Sequence, residues 1–277
     1  MARSKHPACS WTTLQSAASD LSLLEDAARQ AQVLVRKLLA QKLDVRSKGA
    51  AGPVTNIDLA VDALLTEKLR SARPDYGWLS EETPDDAKAR LGKSRVFMLD
   101  PIDGTAAMIA GAPQFTICIG VIENERAFAG VILNPMTDEL YLGAPGLGAT
   151  LNGAPINASP RNTLEGARVS GKPGFYTQRW PQSWPKMEFT EQQSIAYRMA
   201  KVAEGDRDFT ILFGAKNEWD IAAGAAIVEA AGGRFTDPWG SPVAFNQPIP
   251  RAPGGVAAGA AIHPLVIERT KHFRDPR

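Results

Sequence analysis

Leu21, Leu24, Ala28, Ala31, Val35 and Leu38 recur at helical spacing, so an amphipathic helix opens the fold. A Gly/Ala/Pro loop at 49–53 separates it from a second helix, which begins near Thr55 and carries Ile57, Val61, Leu64, Leu65 and Leu69 on its inner side. The period then shortens. Arg95 to Leu99 reads as a strand, and Thr105 to Ala110 as a short helical turn stopped by Gly111. Phe115–Ile122 and Ala127–Leu133 are β-rich runs joined by Asn124-Glu125-Arg126, which predicts a hairpin. Glu139–Ala144 and the Asn152-Gly153 turn continue that sheet.

The second half is less regular. Residues 171–190 hold Pro173, Pro181, Pro185, Trp180 and Trp184, and read as a surface excursion with no assigned role. Ser194 to Glu204 predicts a helix closed by Gly205, and Asp208–Leu212 a strand. Trp219 to Ala231 predicts an Ala-rich helix that Gly232-Gly233 stops. Strands and helices come in blocks, so the expected class is α/β in a layered sandwich. The expected organisation is a poorly ordered tail over 1–17, an α+β half over 18–158 and an α/β half over 159–277.

The chain has 277 residues, 44% of them hydrophobic, enough for a large core. A net charge of +1 with no basic block argues against a nucleic-acid polymer as partner. No apolar run approaches the roughly 20 residues of a membrane span. The two cysteines, Cys9 and Cys118, have no metal-type spacing and point to a reducing, cytoplasmic setting.

Acidic residues collect where predicted elements meet loops. Asp100 and Asp103 lie three apart at the end of an apolar strand, in Met98-Leu99-Asp100-Pro101-Ile102-Asp103-Gly104-Thr105. Carboxylates so close repel one another on burial unless a cation sits between them. Hard oxygen donors without nearby His or Cys suit Mg²⁺, which takes substrate phosphate as a further ligand. Glu81 follows an apolar stretch, Asp220 starts the Ala-rich helix, and Asp58 stands three residues after Thr55 in a capping pattern. Two or three Mg²⁺ ions would neutralise Glu81, Asp100, Asp103, Asp220 and a phosphate monoester, and would supply an acidified water. The Ile102 carbonyl lies between the two aspartates. The amides of Gly104 and Thr105 can donate to phosphate oxygens, and Thr105 and Asp58 form a hydroxyl–carboxylate relay.

Four segments carry a resemblance: Val54-Thr55-Asn56-Ile57-Asp58, Ser80-Glu81-Glu82, Asp100-Pro101-Ile102-Asp103-Gly104-Thr105, and Trp219-Asp220-Ile221-Ala222-Ala223-Gly224 with Ala231-Gly232-Gly233 beyond it. In order and spacing, over about residues 20–262, they resemble the inositol monophosphatase superfamily of magnesium-dependent, lithium-sensitive phosphatases. The resemblance implies an αβαβα sandwich and a homodimer. It implies metal ligation by Glu81, Asp100, the Ile102 carbonyl, Asp103 and Asp220, with Glu81, Thr105 and Asp58 as the catalytic set. Lys48 matches a lysine often found ahead of the first segment. Met108 stands where relatives usually carry Phe.

The superfamily divides by leaving group. Many inositol monophosphatases place Glu seven residues before the metal aspartate of the Trp-Asp pair; Phe213 stands there in this chain. An aromatic ring packs against a base better than it holds a polyol. Phe213-Gly214-Ala215-Lys216-Asn217-Glu218-Trp219-Asp220 resembles bacterial 3'(2'),5'-bisphosphate nucleotidases, and Arg198 sits where those often carry a basic residue, suited to a second phosphate. The expected substrate is therefore 3'-phosphoadenosine 5'-phosphate, contacted by Asp103, Gly104, Thr105, Arg198, Phe213 and Asp220. Inositol phosphate is the alternative, and a non-catalytic sensor of a phosphorylated metabolite the third reading. Gly166-Ala167-Arg168-Val169-Ser170-Gly171-Lys172-Pro173 imitates a P-loop, but Pro173 lacks the hydroxyl such a loop needs.

Overall fold

A computed structural model of the chain describes residues 11–49, 52–177 and 180–272. The chain runs through α1 (Trp11–Leu39), β1 (Val45–Ser47), β2 (Pro53–Thr55), α2 (Asn56–Ala72), β3 (Gly77–Ser80), α3 (Ala87–Arg90), β4 (Arg95–Asp103) and α4 (Thr105–Ile109). It continues through β5 (Thr116–Glu123), β6 (Arg126–Asn134), β7 (Glu139–Ala144), β8 (Gly148–Leu151), β9 (Ala154–Ile156), β10 (Arg168–Ser170), α5 (Pro173–Tyr176) and β11 (Glu188–Thr190). It ends with α6 (Ile195–Ala203), β12 (Phe209–Leu212), β13 (Lys216–Asn217), α7 (Glu218–Ala230), β14 (Gly233–Thr236), β15 (Arg251–Ala252), β16 (Gly255–Gly259) and α8 (His263–Thr270).

Strands β3 to β9 form one sheet in chain order, antiparallel except for the parallel β3–β4 pair. A second sheet has the order β11-β10-β12-β16-β14. Three apolar layers, the middle one reaching from α6 and α7 to both sheets, fill the spaces between five layers of structure, giving the expected αβαβα sandwich. Ile117, Ile119 and Val121 of β5 pack with Leu24, Ala28, Val61 and Leu65 of α1 and α2. Cys118 and Ile122, on the other face of the same strand, pack with Ala222, Ala226 and Met199 of α7 and α6. Because both faces of the strand are covered, it reads in sequence as a nearly continuous apolar run. The third layer joins Phe209, Ile211 and Val256 of the second sheet to Val266 of α8 and Tyr176 of α5.

A glycine track sets the height of α7. Gly120, Gly130 and Gly143 are cross-strand neighbours on β5, β6 and β7. A Cβ on them would lie 2.9 Å from Ala222 Cβ, 2.5 Å from Ala223 O and 2.9 Å from Ile227 Cα, respectively. The small-residue face of α7 therefore rests on bare backbone, and its first turn, which carries Asp220, is fixed over the end of β4 and β5.

Three expectations change. Residues 11–17, assigned to the tail, lie in α1; residues 1–10 fall outside the described residues. The strand ending at Leu99 instead runs on to Asp103. The 171–190 excursion is not confined to the surface: Tyr176 and Met187 are buried in the third layer, and β11 forms the edge of the second sheet. The P-loop imitation becomes β10 followed by α5. No helix among the described residues is long and apolar enough to cross a membrane.

One stability prediction belongs to the fold. His263, buried at the start of α8, has its Nε2 3.0 Å from Thr236 Oγ1, and burial with the nearby Arg234 charge pushes its pKa down to about 4. The unfolded chain protonates it near pH 6.5, so its contribution is lost as pH falls from about 6.5 to about 4. Thermal melts of the wild type should lose of the order of 2–3 kcal/mol over that interval through this group. His263→Gln should flatten the acid slope, and an unchanged slope would remove His263 as its source.

Candidate active site

Two strands and two helices deliver acidic side chains to one place. Pairing of β4 with β5 shifts register between Asp100↔Cys118 and Asp103↔Thr116, so three residue steps on one strand face two on the other. Such a bulge re-aims side chains at a strand end. Asp100 is buried, and its Oδ1 accepts the Ile102 N–H at 3.0 Å. Burial raises its pKa far above the carboxylate range, and the charges of Glu81, Asp103 and Asp220 raise it further. Asp220, in the first turn of α7, is pushed up by burial and then by Asp103 and Glu81. Four sequence-predicted carboxylates thus lie in one another's fields.

Asp103 is held from a direction the sequence did not signal. Its Oδ2 accepts Ser194 Oγ and the Ala196 N–H, each at 2.6 Å. Ser194 is the N-cap of α6 and also takes the Tyr197 N–H at 2.9 Å. Burial still lifts Asp103 to about 6 against these bonds. The only clue in the sequence was a serine placed to cap a helix.

Glu81 follows β3, its N–H bonded to Leu99 O at 3.1 Å. Lys48 Nζ lies 2.6 Å from Glu81 Oε1 and 2.7 Å from Glu82 Oε1. Burial opposes the Lys48 charge, but the bonds to both glutamates outweigh it and hold its pKa above the ordinary value. Neither Lys48 nor the Glu82 carboxylate is the solvated loop charge that a surface loop would make it.

Asp58 occupies the third position of α2 in a capping box with Thr55: Oδ2 accepts Thr55 N at 2.9 Å and Thr55 Oγ1 at 2.6 Å. Its other oxygen lies 2.8 Å from Thr105 Oγ1, which is also 3.0 Å from Ile102 O. The single hydroxyl proton has these two acceptors within reach, the Asp58 carboxylate being the nearer and the charged one. Gly104 precedes α4 with φ 98°, where a Cβ would come within 2.9 Å of Gln114 O. Only glycine fits there.

The residues suit Mg²⁺ by donor chemistry. All the candidate ligands are oxygens, Asp100 and Asp103 are buried and Glu81 and Asp220 partly so, and one lysine answers two glutamates at the rim. Among the described residues, no three acidic, His or Cys side chains are spaced to enclose an ion as they stand.

Beside the acidic cluster lies a pocket of about 320 Å³. Arg198, Lys172 and Lys216 line it together with Phe213, Phe175 and Tyr176, and no lining residue is acidic. Phe175 and Phe213 stack with centroids 5.0 Å apart and planes at 29°. Arg198 Nε donates to Gln192 O at 2.5 Å, which fixes the guanidinium at the wall, and its charge reaches Asp103. Arg198 and Phe213, singled out in sequence, thus meet in one pocket. Phe175, Tyr176 and Lys172 were missed: the 171–190 segment was read by its prolines and tryptophans, and Lys172 only as part of a P-loop imitation.

Residues 17–272 match the sequence profile of the inositol monophosphatase family. Inositol monophosphatase 1 of Solanum lycopersicum is 31% identical over 232 residues, covering 80% of this chain and 85% of that one. The inositol-1-monophosphatase of Caulobacter vibrioides is 30% identical over 263 residues, covering 90% and 99%. In three dimensions, the extragenic suppressor protein SuhB of Bartonella henselae superposes with a TM-score of 0.79 at 26% identity, over 92% of this chain and all of that one. The Thermotoga maritima IMPase gives 0.77 at 27% identity, over 91% and 96%. A matched profile over most of the chain, a shared fold and the convergence of the four motifs place this protein in the inositol monophosphatase family, whose members are metal-dependent phosphatases of phosphomonoesters.

Proposed function

We propose that this chain removes the 3'-phosphate of 3'-phosphoadenosine 5'-phosphate, releasing AMP and phosphate. The observation that carries the reading is the pocket: three cationic side chains and an aromatic stack, without a carboxylate, beside the acidic cluster. A polyol's hydroxyls both donate and accept, and this lining carries no carboxylate to take their protons, while its ring faces suit an aromatic group. A nucleotide with a second phosphate presents an aromatic base and an additional dianion, which match that lining. Arg198 would bind the 5'-phosphate, and Phe213 would pack against the base.

In this reading Glu81, Asp100, the Ile102 carbonyl, Asp103 and Asp220 hold two or three Mg²⁺ ions. Bound there, the metal supplies Lewis acidity toward phosphate oxygens and lowers the pKa of water. The chain's own groups do the positioning. Gly104 and Thr105 face the transferred phosphate, Thr105 orients the attacking water, and Asp58 accepts the hydroxyl proton. Glu81 and Asp220 set the two sides of the cluster. We take the working form to be a homodimer, on the strength of the family resemblance, in the reducing, cytoplasmic setting that the cysteine usage suggests.

A second reading, hydrolysis of inositol phosphates, has the names of the relatives in its favour. Phosphate release from 3'-phosphoadenosine 5'-phosphate and from inositol 1-phosphate, compared under the same Mg²⁺, decides between them. A higher kcat/KM on the nucleotide is expected. Arg198→Ala should cost roughly 10- to 100-fold in kcat/KM on the bisphosphate, as expected for a lost hydrogen bond to a charged group, and little on inositol 1-phosphate. Preference for inositol 1-phosphate, with no selective effect of Arg198→Ala, would replace the nucleotide reading by the second.

A further inference from the structure

Helix α2 presents two buried acids one turn apart, Asp58 and Asp62. Asp58 takes the Thr105 hydroxyl; Asp62 takes two hydroxyls from a different segment. Ser80 Oγ donates to Asp62 Oδ1, and Thr83 Oγ1 donates to Asp62 Oδ2 at 2.9 Å. Ser80 Oγ also lies 3.4 Å from the Glu82 N–H. Ser80 is the last residue of β3, so past Glu81 N–H···O Leu99 the stretch Glu81-Glu82-Thr83 leaves the sheet ladder. The Asp62 carboxylate ties it down on both sides of Glu81, through Ser80 and Thr83, while Lys48 pairs with the Glu81 and Glu82 carboxylates themselves.

Asp62 has no other evident task. The N-terminal cap of α2 is made by Thr55 and Asp58, and among the described residues Asp62 has no salt-bridge partner. A buried carboxylate without a cation is costly, and an apolar residue could fill the volume more cheaply. What the carboxylate adds is geometry. Residues four apart on a helix share a face, so one face of α2 fixes Thr105 through Asp58 and the Glu81 segment through Asp62.

We propose that Asp62 is a positioning residue for metal binding: by clamping Ser80 and Thr83 it fixes the distance of Glu81 from Asp100 and Asp103. The proposal rests on Glu81 being a metal ligand and is independent of which ester is hydrolysed. Loss of a hydrogen-bonding partner behind a metal ligand typically weakens metal binding 10- to 100-fold.

The test is Mg²⁺ binding to the full chain by titration calorimetry, with the half-saturating Mg²⁺ for phosphate release and metal-free melting read alongside. Asp62→Ala should weaken Mg²⁺ binding about tenfold or more, raise half-saturating Mg²⁺ in parallel, and leave kcat at saturating Mg²⁺ within about threefold. Asp62→Asn can still accept from Ser80 and donate to Thr83, and should recover most of the affinity. If Asp62→Ala does not fold, the pair Ser80→Ala with Thr83→Val removes the same clamp from its other side. A lower melting temperature with wild-type Mg²⁺ affinity overturns the proposal, since a merely structural role predicts that result. Glu81→Gln, run in parallel, separates the two assumptions: wild-type affinity in that variant means the ligand assignment itself has failed.

Discussion

Asp100→Asn is expected to lower turnover by at least roughly 10³-fold and, at the same time, to stabilise the metal-free protein. Asp100 is buried and repelled by Glu81, Asp103 and Asp220. An amide of the same shape keeps an oxygen for the Ile102 N–H and relieves the repulsion, by of the order of 1–3 kcal/mol. The same change removes a charged oxygen donor from the metal site. Melting curves with and without Mg²⁺ show both effects: the variant should melt higher than wild type without Mg²⁺ and gain less from adding it. The wild-type gain should also depend on pH. Asp103 has a folded pKa of about 6, above its unfolded value near 3.8. Stability from its protonated form is therefore present at pH 4 and lost as pH rises through about 6. Mg²⁺ replaces the proton, so its stabilisation should grow from pH 5 to pH 8. His263 acts in the opposite direction over part of this range, but it cancels in the difference between curves with and without metal. Asp100→Asn with turnover within tenfold of wild type, or an undiminished Mg²⁺ shift, would mean that the acidic cluster is structural.

The parts of this site that could be read from the sequence are those fixed by short-range chemistry. Thr55 and Asp58 cap a helix, Asn124-Glu125 and Asn152-Gly153 turn hairpins with positive φ, and the alternating faces of β5 and β6 follow from burial on both sides. The aspartates three apart were visible too, but the register shift that brings them into one field depends on how β5 pairs with β4. Ser194 and Asp62 reach their partners from 91 and 18 residues away, and no local pattern marks such a bond. Nothing next to Glu82 in the sequence announces its ion pair, because its cation, Lys48, comes from a separate loop. The 171–190 segment was read by its prolines, whereas its fate was set by Tyr176, Trp184 and Phe189 packing on Phe209 and one another. Tertiary burial outweighed turn composition there.

Thr105→Val should lower kcat by about 10²- to 10³-fold with little change in KM, the loss expected when a group that handles a proton is removed. The geometry explains why one methyl-for-hydroxyl exchange has this reach. Asp58 cannot turn away, because Thr55 N and Oγ1 hold its Oδ2 while Oδ1 faces Thr105. Burial also raises the Asp58 pKa, against the bonds from Thr55 and Thr105, and so favours its taking a proton. With the Thr105 proton directed at Asp58, the hydroxyl oxygen is left as an acceptor for water, and the pair passes a proton inward. Valine keeps the shape and loses both roles, whereas Thr105→Ser keeps the hydroxyl and should retain most of kcat. Asp58→Asn should fall about as far as Thr105→Val, and the double variant should fall no further than either, since the two side chains act as one unit. Losses that multiply in the double variant would show that Thr105 and Asp58 act separately, and Asp58 would then be only the cap of α2.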